Sequence, residues 1–202
     1  MNRTFSLLIG VVLTVVASFV GLVLIPDWQL DPLEPVEAPD GTLRPQAPTG
    51  TVAEGRDIYS QLGCIYCHSQ QVRPPDFGSD HDRGWGTRQT HPLDHIHDEP
   101  PLLGTMRTGP DLANIAVRQP SRSWHHLHLF NPIITSPGSN MPPYRFLYEA
   151  VPRTDGAPPE NALDFPPEFD DPDHWWVPTD RAEALVDYLL SLDHTYSIEG
   201  DP

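Results

Sequence analysis

Apolar residues run without a charge from Phe5 to Ile25, 21 positions in all, and at about 1.5 Å per residue such a helix crosses a hydrocarbon core of about 30 Å. The pattern predicts a transmembrane anchor over residues 1–26. The run exceeds the roughly 7 to 15 residues of a secretory signal core and ends without a small-x-small cleavage pattern, which favours a retained span. Pro26, Asp27 and Trp28 read as its exit, with the indole at headgroup level. Arg3 precedes the span, and the stretch from Pro26 to Pro39 carries four acids and no base. That asymmetry predicts an inside N-terminus and an outside remainder.

Residues 27–50 alternate proline and acid with short apolar patches and read as an extended tether. A folded domain is expected over 51–193, followed by a tail at 194–202. Thr51 and Glu54 fit a capping box, and Gly55, Ile58, Tyr59 and Leu62 follow at helical spacing. Ser121 to Phe130 predicts a short helix ended before Asn131-Pro132. Thr179 is a candidate cap for a last helix, with Asp180 and Glu183 in its first turn and Ala182, Leu185, Val186, Leu189 and Leu192 along one face. Two excursions, 75–101 and 151–178, are rich in proline and aspartate and read as irregular loops. The expected class is all-α.

Charge narrows the partners. The formal net charge is −16, and all 12 basic residues are arginine. No lysine is present for a phosphate-binding loop or a basic nucleic-acid face, so nucleic acid is excluded as a partner class. The 25 prolines limit how much of the chain forms regular structure.

The two cysteines, Cys64 and Cys67, stand three apart with His68 next in line. A structural zinc site needs about four ligands, and a disulfide gains most across a longer loop. CxxCH instead supplies two thiols for the vinyl groups of a haem and an imidazole for its iron. One covalently bound haem c is therefore expected. The sixth iron ligand is open among methionine and histidine. Met1 lies outside the domain, Met106 precedes Arg107-Thr108-Gly109-Pro110, and Met141 sits in Pro137-Gly138-Ser139-Asn140-Met141-Pro142-Pro143-Tyr144. Met141 follows His68 by 73 residues, enough chain to pass round a haem edge, and its prolines restrict the loop. His91, His95 and His97, and likewise His125, His126 and His128, lack an evident thiolate or carboxylate set and read as surface or supporting residues.

In order, GCIYCHSQQVRP, MRTGPDLANI, SWHHLHLFNP, PGSNMPPY and VPTDRAEALVDYLLSL resemble the mono-haem subunit of cbb3-type cytochrome c oxidases over nearly the whole chain. The resemblance implies a cytochrome c fold whose haem-bearing helix is crossed by the C-terminal helix. It also implies haem on Cys64 and Cys67, iron ligation by His68 and Met141, and a Pro110 carbonyl facing the free nitrogen of His68. Arg107 is expected either at a haem propionate or exposed. The implied role is electron transfer from a soluble or bound donor cytochrome to a large haem-copper catalytic membrane subunit, alongside another cytochrome c subunit. The implied location is the bacterial inner membrane, single-pass, with the haem domain on the periplasmic side. A nitric oxide reductase-like complex and a free-standing anchored shuttle are the alternatives. An open, exchangeable sixth position would instead make an enzyme or sensor.

Overall fold

A computed structural model describes residues 3–29, 33–38, 40–154 and 156–198. Two compact units divide at Pro35 and Val36. The first is one continuous helix, α1, Arg3–Gln29, 27 residues long and apolar enough to cross a membrane. Its ladder widens over Val20–Leu24, where the Ile25 N–H donates to the Val20 carbonyl five residues back. Pro26 follows directly; it has no N–H to continue an ordinary ladder, and its ring presses on the carbonyl four residues earlier.

In the second unit a small antiparallel pair, β1 (Val36–Glu37) with β2 (Leu43–Arg44), interrupts the expected tether. Helix α2, Thr51–Gln61, follows. Its N-cap is Gly50, with no side-chain cap, so the Thr51–Glu54 capping box does not form. Thr51 lies inside the helix and its hydroxyl bonds Asp187 instead. Helix α3 is one turn, Ile115–Arg118, and α4 covers Arg122–Phe130, capped by the Ser121 hydroxyl, which accepts from the Trp124 N–H at 3.2 Å. Asn131 then turns extended ahead of Pro132. The last helix, α5, spans Asp180–Leu189, and the Thr179 hydroxyl accepts from the Ala182 N–H as the spacing predicts.

The all-α expectation needs a correction. Strands β3 (Tyr148–Pro152) and β4 (His174–Pro178) pair antiparallel, with Tyr148 opposite Pro178 and Pro152 opposite His174. They close the base of the 151–178 excursion, where aromatic and β-branched residues suit a pleated ladder. Trp176 then packs on Phe130 of α4, with ring centroids 5.0 Å apart. Among the described residues the architecture is helical with two small two-stranded sheets.

The core is where α2 and α5 cross. Ile58, Tyr59, Ala184, Leu185, Tyr188 and Leu189 are buried there. Gly55 permits the approach: a Cβ on it would stand 1.8 Å from the Ala184 carbonyl oxygen and 2.8 Å from the Tyr188 Cβ. Since the clash is with backbone, Gly55→Ala is expected to cost about 3 kcal/mol or more, at or above the usual range for overpacking. Thermal unfolding at the parent temperature would contradict this packing.

Candidate haem site

Helix α2 ends on Gly63, whose φ of 75° places it in the left-handed region that a residue with a Cβ resists. The chain then winds into a tight turn, Cys64–Tyr66, and the His68 N–H donates to the Cys64 carbonyl at 3.0 Å. Both thiols are free, Cys64 half-buried and Cys67 exposed. Burial pushes the Cys64 thiol up to about 11, and Tyr144 hydrogen-bonds to it.

Residues 109–112 lie against this turn. The Gly109 N–H donates to the Cys67 carbonyl at 2.9 Å and the Leu112 N–H to the Ser69 carbonyl at 2.7 Å. Between these two bonds the Pro110 carbonyl stands 2.8 Å from His68 Nδ1 and accepts its proton. That bond fixes the ring tautomer and leaves Nε2 as the nitrogen available to a metal. Burial lowers the His68 pKa, while the Pro110 carbonyl opposes the shift, so the imidazole is neutral at pH 7 and competent as a ligand.

Cys64, Cys67, His68 and Met141 all line one cavity of about 600 Å³, within the usual range of small-molecule and cofactor pockets. Leu112, Ile115, Leu129, Leu185 and Leu189 contribute apolar wall. Met141 is half-buried on a loop turned by Gly138, at φ 81°, and its N–H donates to the Ser139 hydroxyl at 3.2 Å. Met106 does not line the cavity and is 58% exposed. Met1 lies outside the described residues.

Arg107 does not line this cavity. Its guanidinium is engaged by Asp80, at 2.6 and 2.8 Å, and it stacks over Trp85. A buried carboxylate delivered by the 75–101 loop claims the side chain that the sequence places at a propionate or in solvent. The arginine on the cavity wall is Arg118, which sequence reasoning missed. Its terminal nitrogen donates to the Asp111 carbonyl, while its buried Nε has no hydrogen-bond partner. A buried, incompletely bonded guanidinium beside a cavity fits an anionic group of a ligand.

The histidine clusters separate by role. His125 and His128 line the cavity, the first bonded to the Gln119 carbonyl at 2.8 Å and the second to the Thr135 hydroxyl at 2.7 Å. His128 stacks on Trp124 at 4.6 Å, and burial, aided by His68, brings its pKa down to about 4. His91 caps the turn Pro92–His95, and His95 pairs with Asp98 at 2.8 Å.

Free paired thiols, a neutral imidazole with its Nδ1 engaged, a thioether and a cavity-lining arginine together fit a haem. An apolar helix long enough to cross a membrane and a cavity of this lining suit a membrane-associated cytochrome subunit with one haem. The family described as "Cytochrome C oxidase, mono-heme subunit/FixO" matches residues 1–162, and the chain belongs to it. No curated protein matches the chain.

Proposed function

We propose that the chain is the electron-transfer subunit of a cbb3-type haem-copper oxidase, carrying one haem c bound through Cys64 and Cys67 with His68 and Met141 as axial ligands. Bound there, haem supplies one-electron exchange at iron. The observation that carries this reading is the convergence of both thiols, His68 and Met141 on a single cavity, with the Pro110 carbonyl 2.8 Å from His68 Nδ1.

The protein's own residues supply the rest. Pro110 holds the His68 ring and raises its basicity; Met141 would be the second protein ligand to the iron, and Arg118 would pair with a haem carboxylate. The leucines on the wall would limit solvent access to a bound haem and so tune its potential. With His68 and Met141 both holding the iron, the haem would offer no position to oxygen, and oxygen reduction would belong to the catalytic subunit. The helix Arg3–Gln29 anchors the chain, and the unit that begins at Val36 forms the haem domain on the periplasmic side of the bacterial inner membrane. The donor is a soluble or bound cytochrome.

Gentle detergent purification through a tag on this chain tests the assignment. The expected result is co-purification of a large haem-copper subunit, with a further cytochrome c subunit, and cytochrome c oxidase activity. Recovery of the chain alone would make it a free-standing shuttle. Recovery with an enzyme that reduces nitric oxide and not oxygen would replace the acceptor.

A further inference from the structure

The 75–101 excursion and Arg107 meet beside the His68 turn. Asp80 is 2% exposed, and Asp111 is fully buried at 0%. Arg107 joins them: besides its two bonds to Asp80, its Nε donates to the Ser69 hydroxyl at 2.7 Å and a terminal nitrogen donates to the Gln71 carbonyl at 2.6 Å. The Ser69 hydroxyl donates to Asp111 at 2.6 Å, and the same carboxylate oxygen accepts from the Gln71 N–H at 2.8 Å. The Arg83 and Arg107 guanidiniums each stand about 5 Å from the Trp85 ring, and the Trp85 carbonyl accepts from Asn114 at 2.9 Å.

Pro110 therefore lies in a short segment pinned on both sides. Arg107 and Asp111 flank it in sequence, and both are bonded to Ser69, the residue after His68. These two side-chain anchors act together with the Gly109 and Leu112 backbone bonds that hold the Pro110 carbonyl at His68 Nδ1. A cation as buried as Arg107 keeps its place only when its donors are met. Asp111 reaches it at 3.4 Å, whereas Asp80 meets it with both oxygens.

We propose that Arg107 is a positioning residue for His68 and that the 75–101 loop is its brace, acting through Asp80 and Trp85 to hold the Pro110 carbonyl on the imidazole. The proposal rests on His68 as an iron ligand. A firm Nδ1–H to carbonyl bond makes the ring a stronger donor, which favours ferric iron and lowers the reduction potential. Loosening Arg107 weakens that bond and raises the potential.

Two substitutions in the full-length haem-loaded protein leave net charge unchanged, so any change in potential reports geometry. Arg107→Lys removes the planar fork, and Ser69→Ala removes the hydroxyl that joins Arg107 to Asp111. In both, solvent exchange of the His68 Nδ1 proton, read by NMR, is expected to quicken about tenfold, as for loss of a hydrogen bond's worth of protection. The potential should rise in both, with the methionine charge-transfer band retained. If Arg107→Lys fails to take up haem, the milder Ser69→Ala carries the comparison. Parent exchange and parent potential in Ser69→Ala, with His68 ring signals hyperfine-shifted as for an iron ligand, would overturn this inference alone. Absence of those shifted His68 signals in the parent would overturn the ligation reading on which it rests.

Discussion

Met141→Ala is expected to abolish the far-red sulfur-to-iron charge-transfer band of the oxidised protein and to open the reduced protein to carbon monoxide. It should also lower the reduction potential by a sizeable part of the roughly 0.8 V that axial ligands span. A thioether favours ferrous iron, so its loss removes the term that raises the potential. Nothing else on the cavity wall replaces it cheaply. His128 lines the cavity but gives its Nδ1 to Thr135 and stacks on Trp124, and His125 gives its Nε2 to the Gln119 carbonyl. Met106 is exposed and off the cavity. A band that persists in Met141→Ala and vanishes in Met106→Ala would show that the wrong methionine, and the wrong haem face, had been assigned.

Gly109→Ala should nearly eliminate covalent haem incorporation while leaving the helices formed. A Cβ at Gly109 would stand 2.2 Å from His68 Cε1 and 2.8 Å from both ring nitrogens. Neither side yields easily. The Gly109 N–H is bonded to the Cys67 carbonyl, and the ring is bonded to Pro110. The ring must leave its position, and the imidazole is then lost to the iron. Gly138→Ala is the contrast: no atom lies within 4 Å of a Cβ there, but φ is 81°. It should incorporate haem and lose only about 1 kcal/mol to backbone strain. Absorbance of the pyridine complex per mole of chain reads both variants. Parent-level incorporation in Gly109→Ala would contradict the His68 seating.

Much of this was legible because it is local. Thr179 caps the helix it precedes, and Ala182, Leu185, Val186 and Leu189 predict the core side of α5, since caps and helical periodicity act within a few residues. CxxCH places three functional groups on one turn by spacing alone. The misses are long-range. Thr51 fits a capping box, but Asp187 on α5 takes its hydroxyl. Strands β3 and β4 are separated by a proline- and aspartate-rich stretch that hides their pairing. Arg107 and Arg118 flank the same Gly109-Pro110 motif, and nothing local distinguishes them. Asp80, 27 residues earlier, draws Arg107 away from the cavity that Arg118 lines.

Electron transfer through this haem can be followed during turnover of the intact complex by freeze-quench electron paramagnetic resonance. Its ferric low-spin signal is identified as the one altered by Met141→Ala. The signal is expected to vanish when reduced donor cytochrome is added and to return on admitting oxygen, both at least as fast as steady-state turnover. A signal that stays constant while the complex consumes oxygen would contradict a role for this chain in carrying the electrons.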